Sequence, residues 1–199
     1  MGATRTVGAA PETGRTVEMD GIGPVRFEKI RKAHRVSMTV RASRGVRVAV
    51  PTRVSFEEAG RLIGSKAGWA RRTIARIKRA KDRCRDAVLA AERLERRAAR
   101  AHLAGRLGAL AAEHGFAYKR LSVRSQGTLW GSASPSGSIQ LNAFLAVVPP
   151  ELADYVILHE LVHTRVRGHG RAFWSELERL MPDARRRQAR LREYSLALF

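Results

Sequence analysis

Leu158-His159-Glu160-Leu161-Val162-His163-Thr164-Arg165-Val166-Arg167-Gly168-His169 is the stretch on which the reading of this chain turns. Two histidines four positions apart fall on one helix face, one turn above the other, so two imidazoles can meet one cation. Glu160, beside the first of them, projects near the same point and is placed to take a proton from a water that the cation acidifies. A catalytic zinc ion takes three protein ligands and keeps a fourth position open. His169 is expected to be the third, because Gly168 lets the chain leave the helix and swing that ring back; Glu176 and Glu178 stay open as alternatives. Val156, Ile157, Leu158, Leu161 and Val162 make the helix largely buried, where two histidines and a glutamate are costly without partners. The expectation is one Zn2+ per chain on His159, His163 and His169, with Glu160 as the general base. His34, His102 and His114 have no ligand-like spacing.

Outward from this helix the elements alternate in type. Pro149 and Pro150, with Glu151 and Asp154 in the first turn, mark its start, and Gly168 its end. Phe173, Trp174, Leu177, Leu180 and Met181 form the apolar face of a following helix, which Pro182 stops. An Arg-rich helix then runs from about Asp183 towards Tyr194. On the amino-terminal side, Ser138 to Asn142 alternates like a strand, Gly131 to Gly137 has loop composition, and Val123 opens a short strand. Further back, Val36, Met38 and Val40, then Val46, Val48 and Val50, read as two strands joined by the hairpin loop Ala42 to Gly45, with Val25 and Phe27 as another. Ser55 with Glu58 reads as a capping box that opens a helical region. One helix is expected from about Ala90 to His114, ended by Gly115. The class is α+β, divided into a flexible arm over 1–14 and a single domain over 15–199. Within that domain 15–52 is β-rich, 55–115 is basic and helical, and 120–199 is the catalytic core.

Charge sets the second theme. Of the 199 residues, 38 are Lys or Arg and 18 are Asp or Glu, a formal net charge of +20 that draws phosphate backbones, anionic surfaces or acidic proteins. Between Arg61 and Arg100 there are 14 Lys or Arg against four acids, half of that excess. Leu62, Trp69, Ile74, Ile77, Cys84 and Val88 recur there at helical spacing as an apolar face. The basic remainder reads either as a solvated face or as an arm laid along nucleic acid. With Trp69 as its one aromatic residue, such an arm would contact phosphate rather than bases. The one cysteine, Cys84, excludes an intramolecular disulfide and an all-Cys metal cluster, in keeping with a reducing, cytoplasmic setting. No apolar run is long enough to span a membrane, so no membrane association is expected.

Trp130-Gly131-Ser132, Leu141-Asn142, Pro149-Pro150, Tyr155-Val156-Ile157, the His159 to His163 motif, His169 and Phe173-Trp174 together resemble the YgjP-like metallopeptidases, relatives of the WLM-domain and SprT-like proteases. A weaker likeness extends to Val46 to Pro51 and to Lys66 to Trp69. The resemblance implies a zincin-like fold, a mixed sheet packed on the helix that carries H-E-x-x-H. It also implies a protein or peptide substrate near Trp130, Gly131 and Asn142, lying as an extra strand against a sheet edge, for which Ser138 to Leu145 is the expected stretch. It points further to substrates associated with nucleic acid. Where the family commonly has a basic residue before Trp-Gly-Ser and a Cys after it, this chain has Leu129 and Ala133. The leading expectation is a zinc metallopeptidase. The alternatives are a zinc phosphoester hydrolase and a nucleic-acid-binding protein whose zinc is not catalytic.

Overall fold

Alternation of Val25 with Phe27, and of Val46, Val48 and Val50, turns these valines and the phenylalanine to one side of a pleated sheet, where all five are buried. In the computed structural model, which describes residues 14–199, the chain divides into two compact units, one ending at Arg76 and the other beginning at Ile77. The arm expected over 1–14 lies outside the described residues, apart from Gly14.

The first unit holds β1 (Gly14–Met19), β2 (Gly23–Ile30), β3 (Ser37–Arg41) and β4 (Gly45–Pro51) in the order β1-β2-β4-β3. β2 and β4 pair in parallel, whereas β1 on β2 and β3 on β4 are antiparallel. Gly45, with φ of +66°, closes the β3–β4 hairpin in a conformation that L side chains rarely adopt. Two helices follow, α1 (Phe56–Gly64) and α2 (Ala67–Arg83), the second of which crosses the division between units. The Glu58 amide donates to Ser55 Oγ at 3.1 Å, so Ser55 caps α1. Ala59, Ile63 and Ala70 pack against the sheet valines. Leu62 and Trp69, expected on the buried face, are 55% and 43% exposed instead, because the helical stripe that meets the sheet runs through Ala59, Ile63 and Ala70 beside them.

The second unit contains α3 (Arg85–Glu92), α4 (Arg96–Glu113), β5 (Arg120–Arg124), β6 (Gly131–Ala133) and β7 (Ser138–Asn142). A 3-10 turn at Ala143–Ala146 leads into α5 (Pro150–His163), α6 (Arg171–Leu180) and α7 (Ala184–Leu198). The described residues thus form a mixed α+β protein with two small sheets and seven α-helices. The helix expected from 90 to 114 is broken at Arg93 to Glu95, and Gly115, at φ +64°, ends α4. The second sheet runs β5-β7-β6, with β5 parallel and β6 antiparallel to β7. Two expectations are corrected by this order. Ser138 to Asn142 forms the middle strand, with both sides already paired, and Ala143 to Leu145 is 3-10 turn. The free edge beside α5 belongs to β6, which was expected to be loop. No described helix is long and apolar enough to cross a membrane.

α5 positions the chemistry. Nine of its side chains are buried, from Leu152 to Val162, and they face all ways round the helix. A helix so placed is held by its surroundings rather than by one amphipathic stripe. Leu103 and Leu107 of α4, Ile139 and Leu141 of β7, Phe173 and Leu177 of α6 and Leu191 of α7 share its core.

Candidate metal centre

His159 and His163 lie one turn apart on α5, and His169 comes from the loop between α5 and α6. α5 ends at His163, a turn earlier than Gly168 would mark it. Val166 donates its amide to Val162 O at 2.8 Å, and Gly168 adopts φ of +72°, which brings the chain back towards the helix. Arg165 ties this loop down. Its guanidinium hydrogen-bonds Gly115 O and lies 3.9 Å over the Phe116 ring.

The result is a triangle of Nε2 atoms, with sides of 3.2 Å (His159 to His163), 3.1 Å (His163 to His169) and 3.0 Å (His159 to His169). Zinc–nitrogen bonds of about 2.0–2.1 Å imply a tetrahedral edge of about 3.3–3.4 Å, so the triangle is within a few tenths of an ångström of such a ligand set. Ring chemistry agrees with the distances. His163 Nδ1 lies 3.1 Å from Val166 O, which places the ring proton there and leaves the Nε2 lone pair facing its two neighbours. Burial, with the neighbouring histidines next, lowers His159 to about 3, and burial also lowers His163. His159 Nδ1 is buried with no hydrogen-bond partner. Three imidazoles with converging nitrogens, two of them held neutral, suit a cation at their centre. Among the described residues they form a group able to hold a metal ion. Glu176 and Glu178, the alternatives to His169, are taken up by Arg179 and Arg185, at 3.0 and 2.9 Å.

Phe173 of α6, with no exposed surface, is the support beneath all three rings. Its centroid lies 4.7 Å from His159, 4.4 Å from His163 and 4.9 Å from His169. Periodicity marks Phe173 as core; that it is a platform for the histidines follows from the fold alone.

Glu160 is buried on α5, and burial by itself pushes its carboxyl up to about 8. It packs flat on Gly131, the first residue of β6. A Cβ on Gly131 would stand 2.7 Å from Glu160 Oε1 and 2.8 Å from its Cγ, so glycine is needed there for the carboxylate to keep its place. Trp130 donates its indole N–H to Ser195 Oγ at 2.7 Å and packs on Phe199 at 4.7 Å, which fixes β6 against α7. Asn142, expected near substrate, is fully buried. Its amide donates to Gln126 O and Leu129 O and accepts from the Phe144 N–H, so it braces the loop before β6 and has no surface to offer a ligand.

Two cavities meet at His159, Glu160 and Gly131. One, of about 530 Å3, follows β6 and reaches Leu129, Arg167 and His169. The other, of about 260 Å3, runs between α5 and α7 to Tyr155, Gln188 and Arg192. Burial, then the Glu160 carboxylate, pushes Tyr155 up to about 12 against the opposing pull of Arg185, Arg192 and a hydrogen bond from Gln188.

A family profile described as YgjP-like, metallopeptidase domain, matches residues 85–194, more than half of the chain. The chain belongs to the YgjP-like metallopeptidase family. The matched span begins at α3 and takes in all three histidines and, apart from Ser195, the residues lining both cavities. No curated protein and no solved structure matches the chain. Membership of the YgjP-like family supports a hydrolase of the metallopeptidase class, and such a domain usually binds zinc.

Proposed function

We propose that this YgjP-like protein is a zinc metallopeptidase of the H-E-x-x-H type with a zincin-like core, in which His159, His163 and His169 hold one zinc and Glu160 is the general base. The observation that carries the reading is the Nε2 triangle, 3.0–3.2 Å on a side, with Glu160 held beside it against Gly131. A bound zinc supplies a Lewis acid that polarises a carbonyl and lowers the pKa of water to about 7. A dication next to Glu160 also favours its ionised form, which burial disfavours. The Glu160 carboxylate takes one proton from the attacking water as its oxygen bonds to the amide carbon. It gives that proton to the amide nitrogen as the C–N bond breaks. β6 offers the free strand edge along which an extended peptide is held by main-chain hydrogen bonds, in place of the Ser138 to Leu145 stretch.

Glu160→Gln removes the base and leaves the three imidazoles. The expected result is a full zinc complement with cleavage of a peptide library reduced at least about a hundredfold; unchanged cleavage would contradict the mechanism. The peptidase reading is preferred to a phosphoester hydrolase because the open strand edge fits a polypeptide main chain. Contact with nucleic acid through the basic helices, bringing the site to nucleic-acid-associated proteins, is a separate part of the proposal. A steep fall in binding of random-sequence duplex DNA between low and physiological salt would support it, and absence of binding at physiological salt would remove it.

A further inference from the structure

We propose that the cavity between α5 and α7 selects an acidic side chain, glutamate above all, next to the bond that is cut, and that Arg192 is the residue that recognises it. The inference rests on the metallopeptidase reading and names the substrate class of that same site.

The cavity opens from Gly131, His159 and Glu160, where it meets the larger cavity along β6. An amide seated over the histidines therefore sends a neighbouring side chain into each cavity. The smaller one has walls of Trp130, Val156 and Leu191, and its polar groups are mostly engaged with one another. Ser195 Oγ accepts from the Trp130 indole and donates to Leu191 O at 3.0 Å. Gln188 hydrogen-bonds the Tyr155 hydroxyl. Arg192 differs. Three other arginines of α7 are paired, Arg185 with Glu178, Arg187 with Asp183 and Arg190 with Glu151, and Arg186 does not line the cavity. Arg192 makes no hydrogen bond or ion pair among the described residues. A guanidinium at the rim of an apolar slot, with no carboxylate of its own, is the arrangement that receives one from a ligand. Glu160 stands at the inner end of the same cavity and repels a carboxylate placed beside it. The longer reach of glutamate, carrying its charge outward to Arg192, is favoured over aspartate.

Arg192 is exposed, so its contribution is that of a screened pair, a preference of roughly 1.5- to fivefold. The test is cleavage of a proteome-derived peptide library by the zinc-loaded chain and by Arg192→Glu. The expected result is enrichment of Glu over Gln at one position flanking the cut, lost in the variant, with Lys or Arg gaining in its place. Cleavage without acidic enrichment, or enrichment that survives Arg192→Glu, overturns the proposal and leaves the peptidase intact. If nothing in the library is cut, the peptidase reading fails, and calorimetry on the zinc-loaded Glu160→Gln chain judges the pocket separately. End-blocked peptides that differ by Glu or Gln are then compared with and without Arg192→Ala. Tighter binding of the Glu peptide that depends on Arg192 supports the pocket, and equal binding overturns it.

Discussion

α5 and α2 make opposite use of ionisable residues. α5 buries nine side chains, Glu160 among them, and sets His159 and His163 on the same helix; α2 carries Arg72, Arg76, Lys78 and Arg79 on exposed surface. A charge in water costs little to place, so the basic side chains of α2 are compatible with many roles and select none. An ionisable group inside a core costs several kcal/mol unless a partner or a function compensates. Buried Glu160, with half-buried His159 and His163 beside it, therefore points to a site, whereas the larger charge on α2 points only to a sign. If that contrast holds, substitutions around α5 act through geometry, and those on α2 act through the salt dependence of association.

A pair of substitutions in contact with the site tests the first half. Phe173→Ala removes the support of all three rings and leaves a core void, so stability should fall by about 3–5 kcal/mol and zinc affinity with it. Thermal or denaturant unfolding, with zinc titration, reads both. Gly131→Ala should leave zinc in place yet lower peptide turnover on the order of a hundredfold, because the new methyl overlaps Glu160. Zinc lost from Gly131→Ala, or turnover kept by it, would break the assignment of distinct roles to the platform and the base.

A smaller effect appears in the pH dependence of stability of the metal-free chain. With its carboxyl raised to about 8, Glu160 holds its proton in the folded state at pH values where the unfolded state has lost it. Its contribution is complete below about pH 4.5 and is lost as pH rises towards 8. His159, lowered to about 3, acts in the opposite sense, and its contribution is lost as pH falls from about 6.5. The two overlap at acid pH and leave Glu160 alone between about 6.5 and 8, where stability should drop on the order of 2 kcal/mol. Glu160→Gln should flatten that interval and keep the acid limb; a chelator-treated denaturation series at several pH values checks it. Smallest of all, Arg72→Glu and Arg76→Glu on α2 should each change stability by less than about 0.5 kcal/mol. Together they should flatten the salt dependence of any DNA binding.

Legibility in the sequence followed the same contrast. The β3–β4 hairpin was readable because its valines alternate over several residues, and α5 and α6 because proline or an apolar stripe marks their ends and faces. β6 was not. Gly-Ser-Ala has loop composition, and it becomes a strand only through pairing with β7 and the contact of Gly131 with Glu160. The break between α3 and α4 carries no Pro or Gly, and nothing local announces it. Leu62 and Trp69 follow helical spacing yet face solvent, since spacing specifies a stripe but not what lies opposite it. Asn142 was picked out by the resemblance to the YgjP-like family, and its amide braces a loop. The site itself was legible in part. The spacing of His159, Glu160 and His163 is fixed by one helix, whereas the return of His169 depends on the loop pinned by Arg165.

Metal content of the purified full-length chain, measured by elemental analysis after chelator treatment and exposure to zinc, tests the centre most directly when His169→Ala is measured alongside. The account predicts about one zinc per wild-type chain, as for a three-histidine site, and clear loss in a variant that remains folded. A folded wild type that takes up no zinc, or a His169→Ala chain that retains it fully, would contradict it.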